Sequence, residues 1–328
     1  MYNEELKLRF IKDYTKSVEN QKQCRSTFNA AEKYELMWDA DICTRSVEDV
    51  TPMLEEIAGI RKNTSASRVV ILRKYAQWCI EQGVKGSCDS LLRVEVVGLE
   101  SIRHKMVANP KMLEKRLSAT FDNYASSESD IKNSIDNIYK GFYWMAFAGI
   151  PEEDILQITS DEVHFDEMLI RHNDINYPIY TEALPVIRSC VEADSFLYFH
   201  SNYKSSLRPR LRGSKVILRS FDSVYSVPTM RSALSRITRR RVIDNAKDES
   251  QAFKLSYVRV KLSGMFYRKY QDEIAGDEID FRVEAKEFVQ GKAYKEGFRT
   301  NTTEAKQRRA ELDYMRDYQR WKLAFRLV

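Results

Sequence analysis

The sequence predicts a mainly α protein of two domains, with a small antiparallel sheet confined to the second. Three observations carry that expectation. The chain has 328 residues, more than one hydrophobic core usually serves, so two domains are expected. Apolar residues recur at helical spacing through most of it. One short stretch instead has the strand and turn character of a hairpin: Val163 to Arg171, an Asn173-Asp174 turn, then Tyr177 to Tyr180.

The first 120 residues read as helices. Phe28–Ile42 presents Phe28, Ala31, Tyr34, Met37 and Trp38 on one face. Ser46, with Asp49 three residues on, is a capping-box variant that opens a second helix carrying Val50, Met53, Leu54 and Ile57, ended by Gly59. A polar turn leads to a third helix with Val69, Ile71, Leu72, Tyr75, Trp78 and Cys79 inward, stopped near Gly83, and a fourth element spans Cys88–Leu99. The polar, Ser-rich stretch Ser118–Ser134 reads as linker, giving domains at 1–120 and 135–328 with 121–134 between them. The second domain opens on the apolar helix Ile135–Phe147, followed by the Gly149-Ile150-Pro151 turn, a short helix to Leu156, the small sheet and further helices. The last helix starts near Asn301, with Glu304 at the capping position, and carries Leu312, Met315, Tyr318, Trp321, Leu323 and Phe325.

Composition excludes several classes. With 43% hydrophobic and 31% charged residues the chain suits a globular fold, and its longest apolar run, Gly141–Ile150, is too short to span a bilayer. The acidic start Met1-Tyr2-Asn3-Glu4-Glu5 lacks a signal-peptide core, so a cytoplasmic protein is expected. The five cysteines include no CxxC pair, and the four histidines show no ligand spacing; neither a metal nor any other cofactor is expected.

Charge is distributed unevenly. The net balance is only +5, but residues 151–200 hold eleven acids against two bases, and residues 201–250 hold twelve bases, nine of them Arg, against four acids. Arginine is the better bidentate phosphate ligand, so the basic segment is a candidate nucleic-acid surface. It comprises Lys204, Arg208, Arg210 and Arg212 on an expected loop. Arg231, Arg236, Arg239, Arg240 and Arg241 follow on a helix whose buried positions should be Met230, Leu234 and Ile237. Arg259 and Lys261 come next, then Tyr267, Arg268 and Lys269.

Several segments resemble tyrosine recombinases (phage integrases). Ala148-Gly149-Ile150-Pro151-Glu152-Glu153-Asp154-Ile155 resembles the family segment whose arginine is the first of two that clamp the scissile phosphate; here Pro151 stands in its place. Ser256-Tyr257-Val258-Arg259 resembles the His-x-x-Arg box, keeping the second arginine as Arg259 but with Ser256 for histidine. The hairpin that should carry a lysine offers Arg171, His172, Asn173 and Asp174. Phe288-Val289-Gln290-Gly291-Lys292 resembles the Leu-Gly-His motif, and no tyrosine stands near Thr300 where the nucleophile would follow. Ser65-Ala66-Ser67 before Leu72-Arg73-Lys74-Tyr75-Ala76-Gln77-Trp78 resembles the core-binding domain.

The resemblance implies a two-domain clamp around duplex DNA, formed by a helical core-binding domain and a catalytic-like domain without an intact active site. It implies phosphate contacts from Thr64, Ser65, Ser67, Arg68 and Lys74 at the third helix, and a last helix able to mediate self-association or to pack in cis. Proline has neither charge nor side-chain donor, so strand cleavage is not expected. In that respect the chain resembles the integrase-like repressors of lysogeny in SPβ-type Bacillus prophages, which implies a sequence-specific transcriptional repressor acting on double-stranded operator DNA. Two alternatives stand beside it: an active recombinase using Tyr294 or Tyr314, and a protein-interaction module using the acidic Glu152–Asp166 face or the last helix.

Overall fold

The computed structural model describes residues 1–57, 62–94, 98–122, 134–199, 205–220, 224–244, 256–277, 281 and 303–327, with the side chains of 62–66, 199, 205, 238–244, 303–307 and 309–310 excepted. It is mostly helical, with small antiparallel sheets of three and two strands, as the sequence predicts. The chain divides into two compact units, residues 1–104 with 280–328 and residues 105–279.

The first unit contains α1 (Glu4–Tyr14), α2 (Val18–Trp38), α3 (Val47–Ile57), α4 (Lys62–Glu81), α5 (Ser90–Arg93) and α6 (Leu99–Lys105). Helix α2 starts ten residues before the expected Phe28, because the Ser17 hydroxyl accepts the Asn20 amide at 3.5 Å and caps it there. It ends at Asp39, in the left-handed region at φ 46°, before Ile42. Its buried face is Cys24, Thr27, Phe28, Ala31 and Glu35; Met37, expected inward, is exposed. Helix α3 matches expectation: the Asp49 amide donates to Ser46 Oγ at 3.3 Å, and Val50, Met53, Leu54 and Ile57 are buried. Helix α4 buries Ile71, Leu72, Tyr75 and Cys79, while Val69 and Trp78 are half-buried. Phe10, Phe28 and Tyr75 form a triangle of edge-on rings with centroids 5.0–5.9 Å apart at the centre of this core.

A buried charged network that no sequence spacing announces ties α1, α2 and α4 together. Lys7 Nζ donates to both carboxylate oxygens of Glu35 at 2.5 Å and to the Tyr2 carbonyl at 2.7 Å, and both side chains are fully buried. Asp41 accepts from the Tyr75 hydroxyl at 2.9 Å and from Asn3 Nδ2 at 3.1 Å. Burial pushes the Glu35 carboxyl up to about 7 despite the neighbouring Lys7.

The second unit is built on α8 (Asp136–Ala148), every residue of which is buried. Helix α7 (Pro110–Phe121), expected in the N-terminal domain, packs here instead. Its stripe Leu113, Leu117 and Phe121 joins the core of α8, with the Phe121 ring 6.1 Å from Tyr139 and 6.3 Å from Tyr143. The expected linker at 121–134 lies almost wholly outside the described residues. The hairpin follows its pattern. Strands β1 (Val163–His164), β2 (Leu169–His172) and β3 (Ile175–Pro178) form an antiparallel sheet in sequence order, pairing Arg171 with Asn176. Asn173 and Asp174 turn it at φ 51° and 62°, the two positive angles a two-residue loop of type I′ requires.

Two further elements are α9 (Glu152–Ile155) and α10 (Leu184–Glu192). The segment expected as a basic loop instead forms strand β5 (Ser205–Pro209), paired with β4 (Ser195–Phe199). Helix α11 (Val227–Asp244) buries Met230 and Leu234 and half-buries Ile237, as expected. Helix α12 (Tyr257–Ala275) crosses α8 at Gly264, where a β-carbon would lie 1.8 Å from the Phe147 carbonyl oxygen.

The last helix, α13 (Thr303–Phe325), groups with the first unit rather than with residues 135–279. It buries Tyr314, Asp317, Tyr318, Trp321 and Ala324, while Leu312, Met315 and Leu323 are exposed. Arg103 Nε donates to the Ala324 carbonyl at 2.5 Å. Among the described residues no helix is long and apolar enough to cross a membrane.

Candidate nucleic-acid interface

In the first unit the candidate residues lie along α4. Thr64 and Ser65 fall in its first turn, and their side chains lie outside the described residues. Ser67 is half-buried. Arg68 has a structural task that sequence did not reveal: its Nη1 donates to the Ile57 carbonyl at the end of α3, and partial burial lowers its pKa. With Glu19, Lys22, Gln23, Ser26 and Thr27 of α2 it lines a polar cleft of about 460 Å³. Lys22 lines this cleft beside Arg68, a placement that a single lysine on an amphipathic helix does not signal in sequence. Lys74 stands exposed on the same helix as Arg68.

In the second unit the basic segment separates into buried and exposed arginines. Arg210 leaves the candidate set. Its side chain is only 4% exposed, lies 5.1 Å from the Phe196 ring, and donates to the carbonyls of Ala193 (2.9 Å) and Ile217 (2.6 Å). Burial beside Arg219 lowers it to about 10, and the guanidinium fastens β4, β5 and the following loop together. Arg219 does similar work, donating to the Leu211 carbonyl at 3.0 Å. The end of the strand explains the difference: Arg212, two residues beyond Arg210, lies on the exposed turn with Gly213, where φ is 77°. Arg208 lies half-buried over the Tyr198 ring at 5.3 Å, and Lys204 lies outside the described residues.

On α11, Arg231 and Arg236 are exposed; Arg239, Arg240 and Arg241 belong to the same helix, with side chains outside the described residues. Arg231 pairs side-on with Glu152 at the start of α9, its Nε 2.8 Å from Oε1. That hydrogen bond is the first cause of its raised pKa. On α12, Arg259 and Lys261 are half-buried and already engaged with neighbours. Arg268, also on α12, donates to the Phe147 carbonyl at 2.8 Å and serves packing, while Lys269 faces Asp272 at 3.4 Å. Half-buried Tyr267 meets the ring of Tyr180 edge-on, centroids 5.9 Å apart.

The segments bearing Pro151 and Arg259 are neighbours, since the Tyr257 hydroxyl donates to the Ile150 carbonyl at 3.0 Å. Burial, and then the carboxylates of Glu152, Glu153 and Asp154, push the Tyr257 phenol upward. At the hairpin, His172 is buried with Nδ1 2.6 Å from Glu162, whose carboxylate also accepts the Thr159 amide at 2.7 Å. Tyr314 is fully buried; Tyr294, Lys292 and Thr300 lie outside the described residues. Among the described residues no group of His, Cys, Asp and Glu is arranged to hold a metal.

Residues 1–81, the first quarter of the chain, match the family described as MrpR, N-terminal core-binding domain. That match extends through α4 and therefore covers Arg68 and Lys74. No curated protein matches the chain.

Proposed function

We propose that this chain is a sequence-specific DNA-binding repressor that maintains prophage lysogeny with a recombinase-like fold from which strand cleavage has been lost. The match of residues 1–81 to a core-binding domain carries the DNA-binding part of this reading. Arg212, Arg231 and Arg236, exposed in the second unit, support it with donors available to phosphate. The absence of chemistry is argued from Pro151, which lies beside the start of α12 yet has no donor, and from Tyr314, whose hydroxyl has no access to DNA. Exposed Leu312, Met315 and Leu323 on α13 support self-association.

The test is incubation with prophage DNA fragments, split between a native gel and a denaturing gel. Discrete shifts without covalent adducts are expected. A protein contacting several phosphates should also lose roughly a thousand- to a hundred-thousandfold in affinity between about 50 and 200 mM salt. Adducts would overturn the non-catalytic reading, and salt-insensitive association would favour a protein-interaction module.

A further inference from the structure

We propose that Glu152 is a positioning residue, whose buried carboxylate holds Arg231 so that its unused Nη1 edge meets a DNA phosphate. The inference rests on the DNA-binding reading above and starts from an asymmetry. The Glu152 side chain is 7% exposed, whereas that of Arg231 is 64% exposed. Nε lies 2.8 Å from Oε1, and Nη2 bonds Oε2. Side-on pairing uses one edge of the guanidinium and leaves both Nη1 hydrogens for another acceptor. No described residue takes them.

Glu152 is itself fixed. It is the first residue of α9, directly after Pro151, whose ring restricts φ to −57°. The preceding Ile150 is fully buried, and its carbonyl is held by the Tyr257 hydroxyl at 3.0 Å. An arginine with four free torsions would lose rotamer entropy on meeting a phosphate; Arg231 has already lost it to a carboxylate that cannot leave. Were Arg231 to swing away, Glu152 would remain buried and unpaired, which makes the held geometry the stable one. Arg236, five residues along the same helix, is also exposed but points about 140° away around the helix axis, so Arg231 is tested by itself.

Positioning and masking predict opposite signs. If Glu152 merely cancels the charge of Arg231, removing the acid should tighten DNA binding; if it positions Arg231, removal should weaken it. The experiment measures binding of the full chain to a mixed-sequence duplex by fluorescence anisotropy across a salt series. R231A should weaken binding roughly five- to tenfold and lower the log–log salt slope by about one. E152A and the near-isosteric E152Q should also weaken it, and the E152A/R231A double variant should bind no more weakly than R231A alone. R231K should keep the salt slope but lose affinity, because an ammonium cannot pair side-on. Thermal melting of E152Q near the wild-type temperature separates positioning from misfolding. Tighter binding by both Glu152 variants, or an R231A protein with unchanged affinity and slope, would overturn the proposal. A wild-type protein that shows no salt-dependent binding would instead refute the DNA-binding reading itself, and this inference with it.

Discussion

Replacing Lys7 by methionine should destabilise the first unit by about 3–5 kcal/mol, the usual cost of breaking a buried ion pair from one side. The size follows from what remains. Asp41 keeps the Tyr75 hydroxyl at 2.9 Å and the Asn3 amide at 3.1 Å, so it stays satisfied. Glu35 keeps the Ile42 amide at 3.2 Å and loses two donations of 2.5 Å at a fully buried position.

The pH dependence has a definite sign. Burial already raises the folded-state Glu35 carboxyl to about 7, above the 4.5 of an ordinary glutamate. A group raised on folding contributes stability that is full below its unfolded value and is lost as pH rises through the folded one. Without Lys7 the folded value climbs further. The K7M deficit should therefore be largest near pH 8 and shrink toward about pH 5, where Glu35 takes up a proton. Urea unfolding of the full chain, followed by tryptophan fluorescence at both pH values, measures this. The K7M/E35Q variant, lacking the orphaned charge, should recover most of the loss. A K7M cost below about 1 kcal/mol, or a double variant as unstable as the single, would refute the argument.

Other substitutions separate scaffold from interface. G264A should destabilise by several kcal/mol in thermal melts, because its β-carbon meets the Phe147 backbone at 1.8 Å and neither helix can yield cheaply. R210A should lower thermal stability by leaving three carbonyls undercoordinated, whereas R212A and R236A should leave melting unchanged and each reduce the salt slope of DNA binding by about one. R239A, R240A and R259A should likewise weaken DNA binding in anisotropy. Y294F and Y314F should bind DNA as the wild type does and give no change on denaturing gels; a loss equal to that of the arginine variants would count against a non-catalytic protein.

What could be read in the sequence was local. The Ser46–Asp49 cap, the α3 stripe and the Asn173-Asp174 turn each depend on residues within one or two turns of one another, and each was legible. Strand β5 was not, because Arg208 and Arg210 look like a solvated loop until β4 supplies Phe196 and Tyr198 to receive them. Arg210 and Arg212 are chemically identical and two positions apart, so only tertiary packing tells a core brace from a free donor. The Lys7–Glu35 pair spans 28 residues and follows no helical spacing. Helix α7 adjoins the first domain along the chain, but Phe121 of its apolar stripe has its ring partners in Tyr139 and Tyr143.

The grouping of residues 280–328 with residues 1–104 has a consequence for synthesis and for truncation. Residues 105–279 form one uninterrupted run, able to complete their core as soon as they leave the ribosome. The first unit is discontinuous: α1 to α6 precede that run and α13 follows it. A stop near residue 280 would therefore leave residues 105–279 whole but remove α13, which groups with residues 1–104 and whose Ala324 carbonyl accepts from Arg103.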